Sequence, residues 1–179
     1  MNRSAEELHN PDEAILLERA RLLAREEIIG FSDETPLEIV EFILAGEHYA
    51  VEAAYLREVS PLRSLTPLPG TPPFVLGIIN LRGVILSVLD IKKLFGLADK
   101  GLSDQAKVLV LSSPEMEFAI LADAIVGNSS LLESTLRNDL PTLTGIRRDY
   151  LRGLTAEHLV LLDAGRLLAD PSLIVNDAS

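Results

Sequence analysis

Three histidines, three strand-ending aspartates and Arg82, held between a leucine and a glycine, are the side chains of this chain whose types could do chemistry. His9, His48 and His158 are able in principle to ligate a metal or act as bases, but they lie far apart with no partner at a ligand interval. Neither a zinc site nor a serine triad is assembled locally. Asp90, Asp123 and Asp163 each close an apolar run. Asp90 and Asp163 would make the acid and base of a hydrolase only if both carboxylates faced one cavity within about 10 Å of each other. Capping a following helix accounts for them more economically. The chain has no cysteine, so disulfides, thiolate metal sites and a thiol nucleophile are excluded. It has no phosphate loop, dinucleotide fingerprint or nucleophile elbow either. No metal, no cofactor and no catalytic set is expected.

Arg82 is the more informative group. It sits in GIINLRGVILSVLDIKKLFG, Gly77 to Gly96, where Asn80, Arg82 and Gly83 interrupt an apolar run and predict a turn that displays the cation. Val84 to Leu89 follows as a strand with hardly any polar alternation, read as covered on both faces. Asp90 then stands at an N-cap position, Leu94 and Phe95 pack back, and Gly96 supplies the stop of a short helix. Two roles are open to Arg82: pairing with Glu58 or an aspartate, or direct contact with a partner. A planar guanidinium held by neighbours loses little entropy on binding and serves often as an interface anchor.

The elements that must position these groups follow from composition. At 179 residues and 47% hydrophobic, with no tryptophan, the chain suffices for one domain or for two small barrels sharing a core of Leu, Ile, Val and Ala. A net charge of -11 opposes binding to phosphate backbones. Lys92 with Lys93 and Arg147 with Arg148 read as solvated surface, and three Tyr and five Phe are few for a groove that stacks single-stranded bases. No basic leader precedes an apolar core, and no run approaches the roughly 18 apolar residues of a membrane span. A cytoplasmic location is expected.

Residues 1–35 form an acidic N-terminal extension: nine acids against four bases lie before residue 37. Asp12 caps a predicted helix with apolar positions Ile15, Leu16, Ala20, Leu22, Leu23 and Ile29, ended by Gly30, with Glu18 and Arg21 paired on its outer face. It docks either on its own domain or on another protein. From Leu37 the pattern is of short strands: 37–44, 48–53, 74–79, 84–89, 107–111, 117–122 and 158–162, with weaker ones at 125–128 and 152–155. Pro67, Pro69, Pro72 and Pro73 mark an extended connector. Leu81-Arg82-Gly83 echoes as Leu151-Arg152-Gly153. An apolar strand ending in Asp90 or Asp163 and an apolar pair, Leu94-Phe95 or Leu167-Leu168, follow each copy. The second gap is three residues longer, consistent with a turn at Thr155 to Glu157. The domain at 36–172 therefore divides into related halves, roughly 36–100 and 101–172, each expected to close a small barrel with a terminal helix, ahead of a tail at 173–179.

On these residues the chain resembles the CheW family of chemotaxis coupling proteins from Pro36 to about Pro171. The family signature reads here as Gly77, Asn80-Leu81-Arg82-Gly83, the strand to Leu89, Asp90 and Phe95-Gly96. Leu56, Glu58 and Val59 match an upstream pattern, and Ala119 to Asp123 a second-half strand. Ser87 departs from the family by standing where proline is common, and the N-terminal extension is longer than in a minimal member. The resemblance implies a mainly β fold of two packed five-stranded SH3-like barrels with short helices. It also implies a non-catalytic adaptor that binds the helical tip of a chemoreceptor and the regulatory domain of a CheA-type histidine kinase. Leu56, Glu58, Gly77, Asn80 and Arg82 would shape the receptor-facing surface, while Gly83, Asp90 and Asp163 serve as turn and caps. An adaptor for surface motility, pili or another kinase output, with its partner chosen by the N-terminal helix, is the alternative.

Overall fold

The computed structural model describes residues 15–23, 33–98, 101–138 and 146–173. After a helix at residues 15–23 (α1) come ten strands and three short helices. The strands are β1 (Leu37–Leu44), β2 (Glu47–Glu52), β3 (Leu56–Pro61), β4 (Val75–Leu81), β5 (Val84–Leu89), β6 (Lys107–Ser112), β7 (Glu117–Ala122), β8 (Ala124–Leu131), β9 (Leu151–Leu154) and β10 (Val160–Leu162). The helices are α2 (Ile91–Phe95), α3 (Ile146–Asp149) and α4 (Ala164–Ala169). The expected fold is found: a mainly β chain with two five-stranded sheets. Barrel A has the order β8-β1-β2-β10-β9 and barrel B the order β3-β6-β7-β5-β4. Thr66, beyond β3, bridges Ile78 of β4, and Arg137, beyond β8, bridges Leu154 of β9, so each sheet is joined end to end.

Neither half of the sequence closes its own barrel. The first half gives β1 and β2 to barrel A and β3, β4 and β5 to barrel B, and the second half does the reverse. The cause is local. A single 3-10 turn at Ala53–Tyr55 carries the chain from β2 into the other sheet, and the edge of β2 is taken in parallel by β10, as that of β7 is by β5. Burial follows this exchange. Val108 and Val110 of β6 point into a core private to barrel B, and Leu109 and Leu111 point into a core shared with barrel A. Burial on both faces is what makes β6 and β7 near-continuous apolar runs.

The internal echo is real, but its frame is different. Gly153 matches Gly77 and not Gly83: each follows an irregularity where its strand meets β10 or β5, and each is crossed by the bridging segment, Arg137 or Thr66. Asp90 and Asp163 do correspond, since their amides donate to Phe74 O and Tyr150 O respectively, both at 2.7 Å. In this frame the glycine-to-aspartate span is 13 residues in the first copy, Gly77 to Asp90, and 10 in the second, Gly153 to Asp163, so the second copy is three residues shorter. The Thr155 to Leu159 loop stands in place of the far ends of β4 and β5 with their Arg82-Gly83 turn. β3 has no counterpart among the predicted strands, because LREVSP ends in proline and only half-buries one face. The α1 residues Glu18 and Arg21, expected on an outer face, instead line a crevice with Glu41, His48 and Glu157 of barrel A. The rest of the predicted helix, Asp12 and Gly30 included, lies outside the described residues, as does His9.

Candidate functional site

β4 and β5 form a two-residue hairpin, with Leu81 opposite Val84 and positive φ at both Arg82 (53°) and Gly83 (86°). This turn matches the right-handed twist of the strands, but it places a bulky non-glycine residue in the left-handed region at a cost of order 1 kcal/mol. Asn80 offsets part of that, because its Oδ1 accepts from the Gly83 amide at 2.8 Å. Arg82 is held out into solvent with its side chain 81% exposed, and its Nη1 lies 3.5 Å from Glu58 Oε2 on β3. The turn therefore presents a largely solvated cation at one end of barrel B.

Glu58, Asn80 and Arg82 are brought together here. Leu56 and Gly77 are turned inward and do not share the surface. Leu56 is half-buried and packs against the shared core. Gly77 is buried at φ 151°, where a Cβ would overlap the Thr66 carbonyl. Its part is to let the proline connector cross β4. Reading β5 as covered on both faces holds only for its second half, because Val84 and Ile85 are 41% and 59% exposed. With Val59 of β3, also exposed, they add apolar surface to this barrel that the sequence reading missed. Their apolar run gave the same signal as a buried strand.

The aspartates serve structure. Asp90 Oδ1 accepts from the Lys92 amide at 3.0 Å, and Gly96 ends α2 at φ 68°, as the motif predicts. Asp163 Oδ1 accepts from the Arg166 amide at 3.0 Å at the start of α4. Each carboxylate caps its own helix, one after each barrel's hairpin. Lys92 is a correction: expected on the surface, it is 2% exposed, with Nζ 2.7 Å from Asp123 Oδ1. Helix α2 is too short to keep both lysines in water, and only Lys93 is exposed. His158 is exposed at φ 66° in the β9–β10 loop, and His48 lines the α1 crevice. Among the described residues no three His, Asp or Glu side chains converge as a metal would require. None of the described helices is long and apolar enough to cross a membrane.

Comparison with known proteins bears on the family and the fold. The CheW-like domain family model matches residues 38–172. A chemotaxis protein CheW of Klebsiella aerogenes is 27% identical over 143 residues, covering 78% of this chain and 86% of the relative. The protein PilI of Pseudomonas aeruginosa is 24% identical over 115 residues, covering 64% and 65%. The crystal structure of a scaffolding protein, TtCheW from Thermoanaerobacter tengcongensis, superposes with a TM-score of 0.64 at 30% identity, covering 72% of this chain and 89% of that one.

Proposed function

Because this chain belongs to the CheW-like domain family, we propose that it is a non-catalytic cytoplasmic adaptor coupling a chemoreceptor to a CheA-type histidine kinase. The observation that carries the reading is the Arg82 turn. It displays a guanidinium beside Asn80 and Glu58, on a barrel that also exposes Val59, Val84 and Ile85, while Asp90, at the opposite end of β5, is committed to a helix cap. The complement to such a surface would be a helix carrying apolar side chains and a carboxylate on one face. Such an interface needs a buried apolar centre and an anchoring cation, and no reacting group. The regulatory signal of an adaptor is a coupling free energy between its two sites.

Replacing Arg82 by glutamate beside Glu58 should abolish capture of a receptor cytoplasmic fragment and leave the melting temperature nearly unchanged. Unchanged capture would overturn the site assignment.

A second reading is favoured by the similarity to PilI: service in a pilus or surface-motility pathway. There α1, whose Leu16, Leu17 and Leu23 are exposed, would select the partner. Deleting residues 1–33 and measuring kinase coupling separates the two, since full coupling by the truncated chain removes any partner-selecting role for the helix.

A further inference from the structure

We propose that the Lys92–Asp123 ion pair is the positioning joint that fixes how barrel B sits on barrel A. Its mechanical part stands on geometry. Its consequence for coupling rests on the adaptor reading above.

Three elements meet at this pair. Lys92 comes from α2, which continues directly from β5. Asp123 is the one residue between β7 and β8, where the chain leaves barrel B for barrel A. The third element is the β1–β2 turn of barrel A, whose Ala45 amide donates to Asp123 Oδ2 at 2.8 Å. The Asp123 amide donates to Ile43 O at 2.9 Å, and Ser103 Oγ donates to Asp123 O at 3.2 Å. Both carboxylate oxygens and both backbone groups of the crossover residue are thus engaged. Ala45 and Gly46, at φ 51° and 78°, form the two-residue β1–β2 turn, so the amide that meets Asp123 is set by the hairpin itself.

A joint of this kind is chosen for direction and not for strength. Replacing a buried ion pair with apolar groups is often neutral for stability, whereas the pair itself accepts only a narrow range of distances and angles. The duplicated position makes the contrast. Two residues after the other capping aspartate stands Gly165, and a Cβ there would lie 3.0 Å from the Tyr55 hydroxyl. One seam between the barrels is closed by a ring over a glycine, and the other is pinned by charge. The pinned seam is at the end of the strand that begins at the Arg82 turn.

The chain has no cysteine, so Glu115→Cys in the exposed β6–β7 turn and Ala156→Cys in the exposed β9–β10 loop report the distance between barrels through paired spin labels. In this background Lys92→Met, and Lys92→Met with Asp123→Asn, should broaden or shift the distance distribution, and Lys92→Arg should restore it. The double variant keeps an acceptor for Ala45 and a neutral seam, so it carries the test if the single variant does not fold. In the same double variant, receptor capture should persist while receptor control of the kinase falls by about fivefold or more. A folded double variant with the parent distribution would overturn the joint. A shifted distribution with undiminished control would overturn its role in coupling. If the parent captures neither receptor nor kinase fragment, the adaptor reading fails, and the distance measurement still decides the mechanical claim.

Discussion

Arg82 and Arg152 look interchangeable in the sequence, each held between leucine and glycine, yet the two barrels use them in opposite ways. Arg152 is half-buried in barrel A and bridges Glu52 and Glu133 at once. Arg82 stands at the tip of a two-residue turn in barrel B with one carboxylate at 3.5 Å. One guanidinium is consumed in tying β9 to the end of β2 and the turn after β8. The other is displayed. The two arginines are not structural equivalents, since with Gly153 matching Gly77 the residue corresponding to Arg152 is Leu76. The difference arises from where each Leu-Arg-Gly triplet falls relative to its hairpin, at the start of β9 in one case and in the β4–β5 turn in the other.

The largest contrast is expected at the paired glycines. Gly77→Ala forces a Cβ into the backbone carbonyl of Thr66 at positive φ, and a loss of about 3 kcal/mol or more should appear in denaturant titration. Gly153→Ala has no positive φ to oppose it and meets the Asn138 side chain at 2.7 Å, which is able to swing aside, while Leu136 Cβ at 2.9 Å and the Arg137 carbonyl at 3.2 Å must give by a few tenths of an ångström. A loss of about 1 to 2 kcal/mol is expected there. Equal losses would show that the two crossings are not mechanically different.

At the arginines, Arg152→Ala leaves the half-buried Glu52 without its partner and should cost about 1 to 2 kcal/mol. Arg82→Asn should raise stability by about 0.5 to 1 kcal/mol, because asparagine tolerates the left-handed turn and an exposed ion pair contributes little. The same substitution should lose receptor capture. Stability and binding moving in opposite directions is the signature of a residue kept for display, and parallel movement would class Arg82 with Arg152.

A smaller effect separates the barrels by pH. Burial, and then its hydrogen bond to Asp170, pushes the Tyr150 phenol up to about 12. The folded state therefore holds the proton more tightly than the unfolded chain. The resulting stability is complete below about pH 10 and is lost as pH rises toward 12. The same bond holds Asp170 below the ordinary carboxylate range, a contribution lost as the solution is made strongly acidic. Tyr150→Phe should flatten the alkaline limb of the melting temperature, and an unaltered limb would place its origin elsewhere.

Much of the architecture was legible because it is written in local periodicity and punctuation. β1, β5 and β7 fall at the predicted residues, and the Asp90 cap and Gly96 stop are found as read. Turn chemistry at Asn80 to Gly83 placed Arg82 on the surface, and the option of pairing with Glu58 is realised. Strand exchange between the halves was not legible, because hydrophobic alternation reports that a strand is buried and is silent on which sheet buries it. Lys92 was misread for a related reason: two adjacent lysines on a short helix look solvated until a carboxylate from a segment 31 residues away is known to lie beneath one of them. The exposure of Val84 and Ile85 escaped notice because a display surface and a core strand are written in the same residues.

Residue types and spacings by themselves determined the β class, the turn that presents Arg82 and the two capping aspartates. All of these depend on neighbours within a few positions along the chain. Only the tertiary structure decided that each barrel is built from both halves, that Asp123 pairs with Lys92 at the crossover, and that one Leu-Arg-Gly triplet is stapled while the other faces solvent. Those outcomes depend on which distant segments meet, and the free energy of such meetings comes from shared burial and long-range charge pairing, which no local window of residues contains.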